Sequence, residues 1–482
     1  MRINPDRLLP AACVAGSVFW MSALALRFPP GDGDLLWQRW LGERILHEHA
    51  IPRTLGPETF AASGAPWTPH EWLFALALTV TTDRGAPWVV PLACALAAGI
   101  ALTMIVLRSH GTSDVLSAAA VLVCALSMIQ SFGARAQVFG WAGLASVLWL
   151  LETDGPAAWG AVPVTIVWAN LHASVFLAPL LAAMFAAMNG LRDRRWSPAV
   201  VRSCSIASGC ALATLATPLG FDLVRYAVTL IGSPIRHSIS EWGATSIDST
   251  AFVLGALPLV LLLVAFGIRA SLRDRVIACV FLVMLFAAVR NVPIFAIAVA
   301  PVAFAAIPRR RPSPALGLGL APIASWTTIV IVVAASLAIT TDVWRQAPAA
   351  AQTLPYGLAR TLLHEARTPP RVFCEDFAWC SIFLVERLPA TFFMDGRCDP
   401  YPLAVWHDYR EVLDGNRGWS AILDARRIDA VLVRRDGALD SLLAQSHAGW
   451  RTIAADRGAR LYVRPALSPK KKTDLATLEA QR

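Results

Sequence analysis

The stretch LLPAACVAGSVFWMSALAL, residues Leu8–Leu26, carries no charged side chain and follows two arginines, Arg2 and Arg7. As an α-helix it is long enough to approach the full ~30 Å hydrocarbon core of a bilayer. A secretory signal peptide has a shorter apolar region and a small-residue cleavage motif after it, and no such motif follows here. We therefore interpret this stretch as a first transmembrane helix that enters the membrane from the cytoplasm.

The composition of the whole chain agrees with a membrane protein. Of its 482 residues, 56% are hydrophobic and 16% are charged, whereas soluble domains carry about 25% charged residues. The mean hydropathy is +0.54. Although the formal net charge is +9, the arginines interrupt apolar runs and form no single basic face, so we expect no nucleic-acid partner.

Further uncharged runs predict further spans, at residues 86–107, 115–132, 136–151, 203–221, 249–268 and 313–341. Two longer regions, 155–191 and 276–307, are interrupted by Asn170-Leu171-His172 and by Arg290-Asn291, and we interpret each as a helical hairpin. The sequence thus predicts an α-helical polytopic membrane bundle of about 11 transmembrane helices.

The basic residues between these runs then fall on one side, as the positive-inside rule requires. They are Arg2, Arg7, Arg108, Arg192, Arg194, Arg195, Arg202, Arg269, Arg273, Arg275 and the arginines at 309–311. We therefore predict a multi-pass inner-membrane protein with a cytoplasmic N-terminus and an extracytoplasmic C-terminal domain.

From Asp342 onwards, short apolar runs at 371–373, 391–394, 430–433 and 460–463 are typical of strands. Amphipathic stretches at 419–427 and 439–447 predict helices between them. We predict a transmembrane domain over 1–341, a small soluble α/β domain over 342–465 and a disordered tail over 466–482. The α/β domain contains no GxGxxG, P-loop, GxSxG or HExxH motif, so we expect it to be structural or to position an acceptor.

Six of the nine cysteines lie in the apolar part and are interpreted as small core residues. The other three lie in the C-terminal domain, in a compartment that favours disulfides. We predict a bridge between Cys380 and Cys398. The alternatives are two buried thiols, or a bridge in which Cys374 is the competing partner, because connectivity cannot be read from sequence.

The predicted topology places the unusual polar residues on the outer side. The first outer loop, 27–85, contains Asp32 and Asp34 in GDGDLLWQRW, followed by His70, Glu71 and Trp72. The outer ends of spans carry Arg135, Asn170, His172, Glu241 and Arg290. Binding and catalytic residues commonly lie on loops held by a rigid scaffold, so we treat this face as the candidate site.

Simpler interpretations exist for most of these residues. Asp32 and Asp34 could be loop or cap residues, His70 and Glu71 could merely begin a helix, and Arg135 could snorkel to headgroups. Arg290 is harder to explain in this way. The run before it, 276–289, rises only ~21 Å as a helix, so the charge should lie at a depth where charges are costly and usually functional.

Four stretches in this order resemble a known family. They are the acidic pair at 32–34, PWTPHEWL at 66–73, WANLH at 168–172 and DGRCDPY at 395–401. With the long first outer loop and the C-terminal outer domain, the chain resembles the glycosyltransferase C superfamily, whose integral-membrane members use polyprenyl-phosphate sugars. The resemblance is to bacterial members related to the protein mannosyltransferase and aminoarabinose transferase group. One departure is Gln38, where the subfamily usually has a histidine.

The resemblance implies transfer of a hexosyl or pentosyl group from a polyprenyl-phosphate donor to a glycan, lipid or protein acceptor. Asp34 or Asp32 would take the proton of the acceptor hydroxyl, and Arg135 and Arg290 would bind the donor phosphate. His70, Glu71, Trp72, Asn170, His172 and Glu241 are the candidate substrate-binding residues. We expect no cofactor, and a divalent metal is left open because the sequence shows no clear ligand set.

Two non-catalytic functions compete with this interpretation. A membrane transporter predicts internal repeats and charges near the membrane midplane, and we find no repeat. An envelope-assembly scaffold would use the outer domain as a binding module, and the sequence alone does not distinguish it from an enzyme.

Overall fold

The structure is a computed structural model that describes residues 8–27, 33–129, 131–153, 155–308, 354–366, 368–446 and 449–465. The chain folds into two compact units. The helical unit comprises Met1–Arg27 and Thr81–Arg345, and the loop–sheet unit comprises Phe28–Val80 and Gln346–Arg482. In this division, the residues of the first outer loop group with the C-terminal residues.

The helical unit is built mainly from apolar helices. They are α1 (Leu8–Arg27), α4 (Val89–Arg108), α5 (Asp114–Ile129), α6 (Gln137–Glu152), α7 (Ala161–Leu171), α8 (Leu177–Asp193), α9 (Pro198–Ala213), α10 (Phe221–Gly232), α11 (Leu257–Phe266), α12 (Leu272–Ala287) and α13 (Val292–Ala305).

Within the described residues, four helical segments are long and apolar enough to cross a membrane: Leu8–Leu26, Val89–Arg108, Ala173–Asp193 and Phe252–Arg269. Shorter apolar helices accompany them at Trp72–Asp83, Asp114–Ile129, Gln137–Glu152, Pro198–Ala213 and Val289–Ala305. The helical membrane fold is confirmed, whereas the number of 11 spans stays a prediction. The predicted span at 313–341 lies outside the described residues.

Both predicted interruptions are present. Helix α7 ends at Leu171, and the His172 side chain accepts a hydrogen bond from the Ser174 amide before the helix resumes. Helix α12 ends at Ala287, and a 3₁₀ turn over Val289–Asn291 precedes α13. The helix predicted at 203–221 is present but shifted, because α9 begins at Pro198 and ends at Ala213. The turn that follows contains Pro218, which lacks a backbone donor, and Gly220 at φ +53°.

A buried arginine compensates for a proline inside α13. Pro301 has no N–H, so the carbonyl of Ile297, four residues earlier, loses its helical partner. Arg108 donates from Nη1 to that carbonyl at 2.7 Å and from Nη2 to the Ala298 carbonyl at 3.1 Å. Its guanidinium also binds Glu152 at 2.8–3.1 Å. The Arg108 side chain is 1% exposed, so its charge is neutralised within the bundle.

The loop–sheet unit contains helices and a five-stranded sheet. Its helices are α2 (Gly33–Glu48), most of α3 (Trp72–Asp83), α14 (Tyr356–Glu365), α15 (Phe377–Val385), α16 (Leu403–Leu413), α17 (Trp419–Ala425) and α18 (Ala438–Gln445). Its strands are β1 (Arg371–Cys374), β2 (Thr391–Phe392), β3 (Ala430–Arg434), β4 (Arg451–Ala455) and β5 (Ala459–Val463). The strand order is β2-β1-β3-β5-β4, with β2, β1 and β3 parallel and the pairs β3–β5 and β5–β4 antiparallel.

The first loop continues this sheet beyond β2. The Phe392 amide donates to the Glu58 carbonyl at 2.9 Å, and Thr59 forms a parallel bridge with Phe392. Helix α2 approaches α15 so closely that a Cβ on Gly33 would lie 2.3 Å from the Ala378 Cβ. The backbone of the loop is therefore held against the C-terminal α/β structure by hydrogen bonds and by close helix packing.

The disulfide in this unit joins Cys374 to Cys380, with the two Cα atoms 5.9 Å apart. The predicted pairing of Cys380 with Cys398 is wrong, and Cys398 is half-buried and lies outside this bridge. Cys374 ends β1, and the short turn into α15 brings Cys380 back over the strand end. This local return places the two Cα atoms within the range that a disulfide spans.

Candidate functional site

Asp34 lies in the first turn of α2. The sequence places this residue in the first outer loop, and the structure shows that this part of the loop is helical. The carboxylate accepts a hydrogen bond from the Trp37 indole Nε1 at 3.3 Å. A helix N-terminus favours negative charge, so both surroundings stabilise the ionised form that a general base requires. Asp32 lies outside the described residues, and its role stays a prediction.

Gln38, one helical turn after Asp34, binds Glu71. Its side chain is 2% exposed, and its Nε2 donates a hydrogen bond to the Glu71 carboxylate. Its Oε1 has no hydrogen-bond partner among the described residues. Gln38 thus lies beside Glu71 and can accept a hydrogen bond from a ligand hydroxyl.

His70 and Glu71 form a pair just before α3, which begins at Trp72. The His70 Nε2 lies 3.6 Å from a Glu71 oxygen. Burial lowers the pKa of His70, but the hydrogen bond and charge of Glu71, the charge of Asp399 and the Thr68 carbonyl outweigh burial and raise it. The imidazole is therefore biased towards the protonated form.

The helical unit brings together two arginines that the sequence predicted for phosphate binding. Arg135, just before α6, forms an ion pair with Glu241. Arg290 donates to the Gln137 side chain at 3.2 Å and lies 4.5 Å from the centroid of the Trp242 ring. We call Arg135, Gln137, Glu241, Trp242 and Arg290 the arginine cluster. Its two guanidinium groups outnumber its one carboxylate, so the cluster carries an excess positive charge.

Local breaks in the helices place these side chains. Glu241 and Trp242 lie in a 3₁₀ turn, and Arg290 lies in the 3₁₀ turn between α12 and α13. The Val289 amide donates to the Gly243 carbonyl at 3.0 Å, which joins the two turns. Arg236 also reaches this region, with Nη2 at 3.3 Å from the Ala287 carbonyl. Arg236 was not among the site residues predicted from the sequence, although it lies shortly before Glu241, which was.

Asn170 and His172 are held by neighbouring groups. The Asn170 amide donates to the carbonyls of Ile166 and Ala216, both at 2.8 Å. The His172 Nδ1 lies 2.7 Å from the Ser174 hydroxyl. These bonds fix the end of α7, which is a structural role. Substrate binding by the two residues stays a prediction.

The comparisons with known proteins give matches only at the level of structure. No protein-family model matches the chain, and the search of curated proteins found no match. The chain is similar to the archaeal oligosaccharyltransferase AglB from Archaeoglobus fulgidus, solved in complex with an inhibitory peptide and a dolichol-phosphate. That match has a TM-score of 0.55 and 11% identity, and it covers 96% of this chain and 75% of the other.

Two further solved structures are similar. The apo form of the Archaeoglobus fulgidus oligosaccharyltransferase matches with a TM-score of 0.53 and 10% identity over 95% of this chain and 75% of the other. ArnT from Cupriavidus metallidurans, in the apo state, matches with a TM-score of 0.50 and 13% identity over 96% of this chain and 98% of the other. At these identities the likeness establishes a shared fold.

Proposed function

Since the chain has the fold of the glycosyltransferase C superfamily, we propose that it is a membrane glycosyltransferase. It moves a sugar from a polyprenyl-phosphate donor to a cell-envelope acceptor on the outer face of the bacterial inner membrane. The observation that carries this proposal is the arginine cluster, because two guanidinium groups converge at breaks in apolar helices. Charges in such helices are costly and usually serve a ligand.

The chemistry follows from the groups present. The acceptor hydroxyl oxygen forms a bond to the anomeric carbon of the sugar, and the bond from that carbon to the phosphate oxygen breaks. Asp34 takes the hydroxyl proton as general base. The lipid phosphate leaves with the electron pair, and Arg135 and Arg290 stabilise the negative charge that develops on it. His70, Glu71 and Trp72, with Asn170, His172 and Glu241, are the proposed substrate-binding residues.

The names of the structural neighbours favour an enzyme over a transporter or an assembly scaffold. Two of the structures are named as oligosaccharyltransferases, and one of these was solved with a dolichol-phosphate, a lipid phosphate of the class proposed here. The acceptor class is a glycan, lipid or protein. The proposal assigns no step to a cofactor, and it leaves the use of a divalent cation open.

Replacement of the base tests the function directly. Asp34→Asn is nearly isosteric but cannot take a proton, so we expect a loss of ~10²–10⁴-fold in transfer rate with normal expression. The measurement compares lipid-linked sugars and surface glycans in cells with wild-type or variant protein, and the donor should accumulate in the variant. Glu48→Gln, which changes an exposed carboxylate of the same helix, is the matched control and should retain full activity.

Asp32→Asn completes the test. Wild-type turnover in Asp34→Asn together with loss in Asp32→Asn would reverse the two roles. Wild-type glycan profiles in both single variants and in the double variant would remove the catalytic centre from this loop and overturn the enzyme assignment.

A further inference from the structure

The DGRCDPY segment, residues 395–401, binds the first outer loop through a buried arginine. Arg397 has a fully buried side chain, as does Asp395. Its guanidinium donates to both Asp395 oxygens at 2.7–3.0 Å and to a Glu58 oxygen at 3.3 Å. It also lies 5.0 Å from the ring centroids of Trp40 and Trp67. A buried charge persists only where it is paired in this way, so the segment has a fixed position on the loop.

Gly396, the residue before this arginine, packs directly on the ring of Trp37. A Cβ at Gly396 would lie 2.9 Å from the Trp37 Cδ1. The Gly396 amide donates to the Ser381 hydroxyl at 3.3 Å, which anchors its backbone to α15. The tryptophan cannot therefore shift away from its site without loosening this packing, and a side chain at Gly396 would displace it.

Trp37 connects this packing to the proposed base. Its ring meets Trp67 edge to face at a centroid distance of 6.3 Å, and it is 8% exposed. Its Nε1 donates to the Asp34 carboxylate. The ring is thus confined between Gly396 and Trp67, and its indole N–H is directed at Asp34.

We propose that the C-terminal domain positions the catalytic carboxylate through this series of interactions, with Gly396 setting the place of Trp37 and Trp37 orienting Asp34. Neither Gly396 nor Trp37 is a catalytic residue, because each acts through its neighbour. This inference rests on the proposed function. It assigns the DGRCDPY segment a role in the rate of transfer, beyond the structural or acceptor-positioning role expected for the C-terminal domain.

Two variants test the inference, one at Gly396 and one at Trp37. Gly396→Ala places a methyl group against Trp37, and Trp37→Phe removes the N–H while keeping an aromatic ring. A misplacement of ~1 Å can reduce a rate by ~10²-fold. We expect both variants to lower kcat by about 10- to 100-fold at little change in the donor KM. Gly357→Ala is the matched control, because a Cβ there meets no described atom within 4 Å, and it should turn over normally.

The double variant of Gly396 and Trp37 distinguishes a positioning role from two independent losses of stability or packing. If both changes act through one hydrogen bond, Gly396→Ala with Trp37→Phe should cost little more than either alone. Additive losses would overturn the inference. A wild-type kcat in Trp37→Phe would also overturn it, and that measurement does not depend on whether Gly396→Ala folds. Inactivity of Asp34→Asn alongside an unchanged kcat in these variants would refute the positioning role alone, whereas full activity of Asp34→Asn, of Asp32→Asn and of the double variant would refute the proposed function.

Discussion

At the scale of single residues, the arginine cluster is organised before any ligand binds. Arg135 has Glu241 as a partner, and Arg290 has Gln137 and the face of Trp242. A lipid phosphate would therefore meet guanidinium groups whose orientations are already set, which lowers the entropy lost on binding. Arginine suits this role because its planar fork can bind two phosphate oxygens at once.

Loss of either arginine should weaken use of the donor. In Arg135→Ala or Arg290→Ala, the donor KM should rise about 10- to 100-fold, because a charge-assisted hydrogen bond contributes ~1.5–3 kcal/mol. Lysine should restore only part of the loss, since a fork becomes a point charge. Donor titrations with purified protein measure this effect, and Arg195→Ala is the control on the predicted cytoplasmic side. Full activity of Arg290→Ala would reduce that residue to a snorkelling arginine.

The sequence indicated which residues belong to the candidate site but not their partners. Arg290 was recognisable because a charge interrupts an apolar run too short to cross the membrane. Its hydrogen bond to Gln137 joins positions 153 residues apart, and no local pattern encodes such a pair. The same holds for Gly396 and Trp37, because a glycine that permits a close approach looks like any turn glycine until the neighbouring helix is present.

At the scale of elements, the helix breaks are the feature that carries both structure and proposed function. The break at Val289–Asn291 presents Arg290, whereas Pro301 in the following helix leaves a carbonyl that Arg108 satisfies. Backbone groups freed in a membrane bundle need such partners, because lipid offers none. Arg108 therefore stabilises the same helix that follows the proposed phosphate site.

Removal of Arg108 should destabilise the helical unit strongly. Arg108→Ala leaves Glu152 and the Ile297 carbonyl without their partner, and loss of one member of a buried ion pair typically costs about 3–5 kcal/mol. Thermal unfolding in detergent should show a lower Tm. Arg108→Met combined with Glu152→Leu should recover part of the loss, because no unpaired charge remains. Equal Tm values for wild type and Arg108→Ala would contradict this role.

Element prediction succeeded where the apolar pattern is regular. The runs at 371–373, 430–433 and 460–463 lie within observed strands, because buried strands of a mixed sheet are continuously apolar. Strand β4, with the sequence RTIAA, was missed because it lies at the sheet edge and is mostly solvent-facing. Helix α2 was missed because charged residues interrupt its apolar face, which is completed by packing on α15 and α3.

At the scale of the whole molecule, proton transfer and phosphate binding are proposed for residues of different units. The loop–sheet unit contains the proposed base and the segment that positions it, and the helical unit contains the proposed phosphate-binding arginines. The disulfide between Cys374 and Cys380 agrees with an oxidising environment for the C-terminal domain. It therefore supports the predicted extracytoplasmic location.

The predicted orientation can be measured with reporter fusions. An enzyme that is active only outside the cytoplasm, fused after Thr341, should be active, because the arginine clusters of the bundle are expected inside. The same reporter fused after Arg195 should be inactive. Activity of a cytoplasm-only reporter at Thr341 would overturn the topology.

The pairing of Arg397 with Glu58 has a consequence for biosynthesis. The two residues are 339 positions apart, so a ribosome working at ~5–20 residues per second makes the second about 17–70 s after the first. For most of that interval the nascent chain contains Trp40 and Trp67 but not Arg397, which later lies against both rings. The proposed reaction centre is therefore complete only after residue 397 has been made, and a chain interrupted between residues 67 and 397 contains the carboxylate without the full set of neighbours that holds it in place.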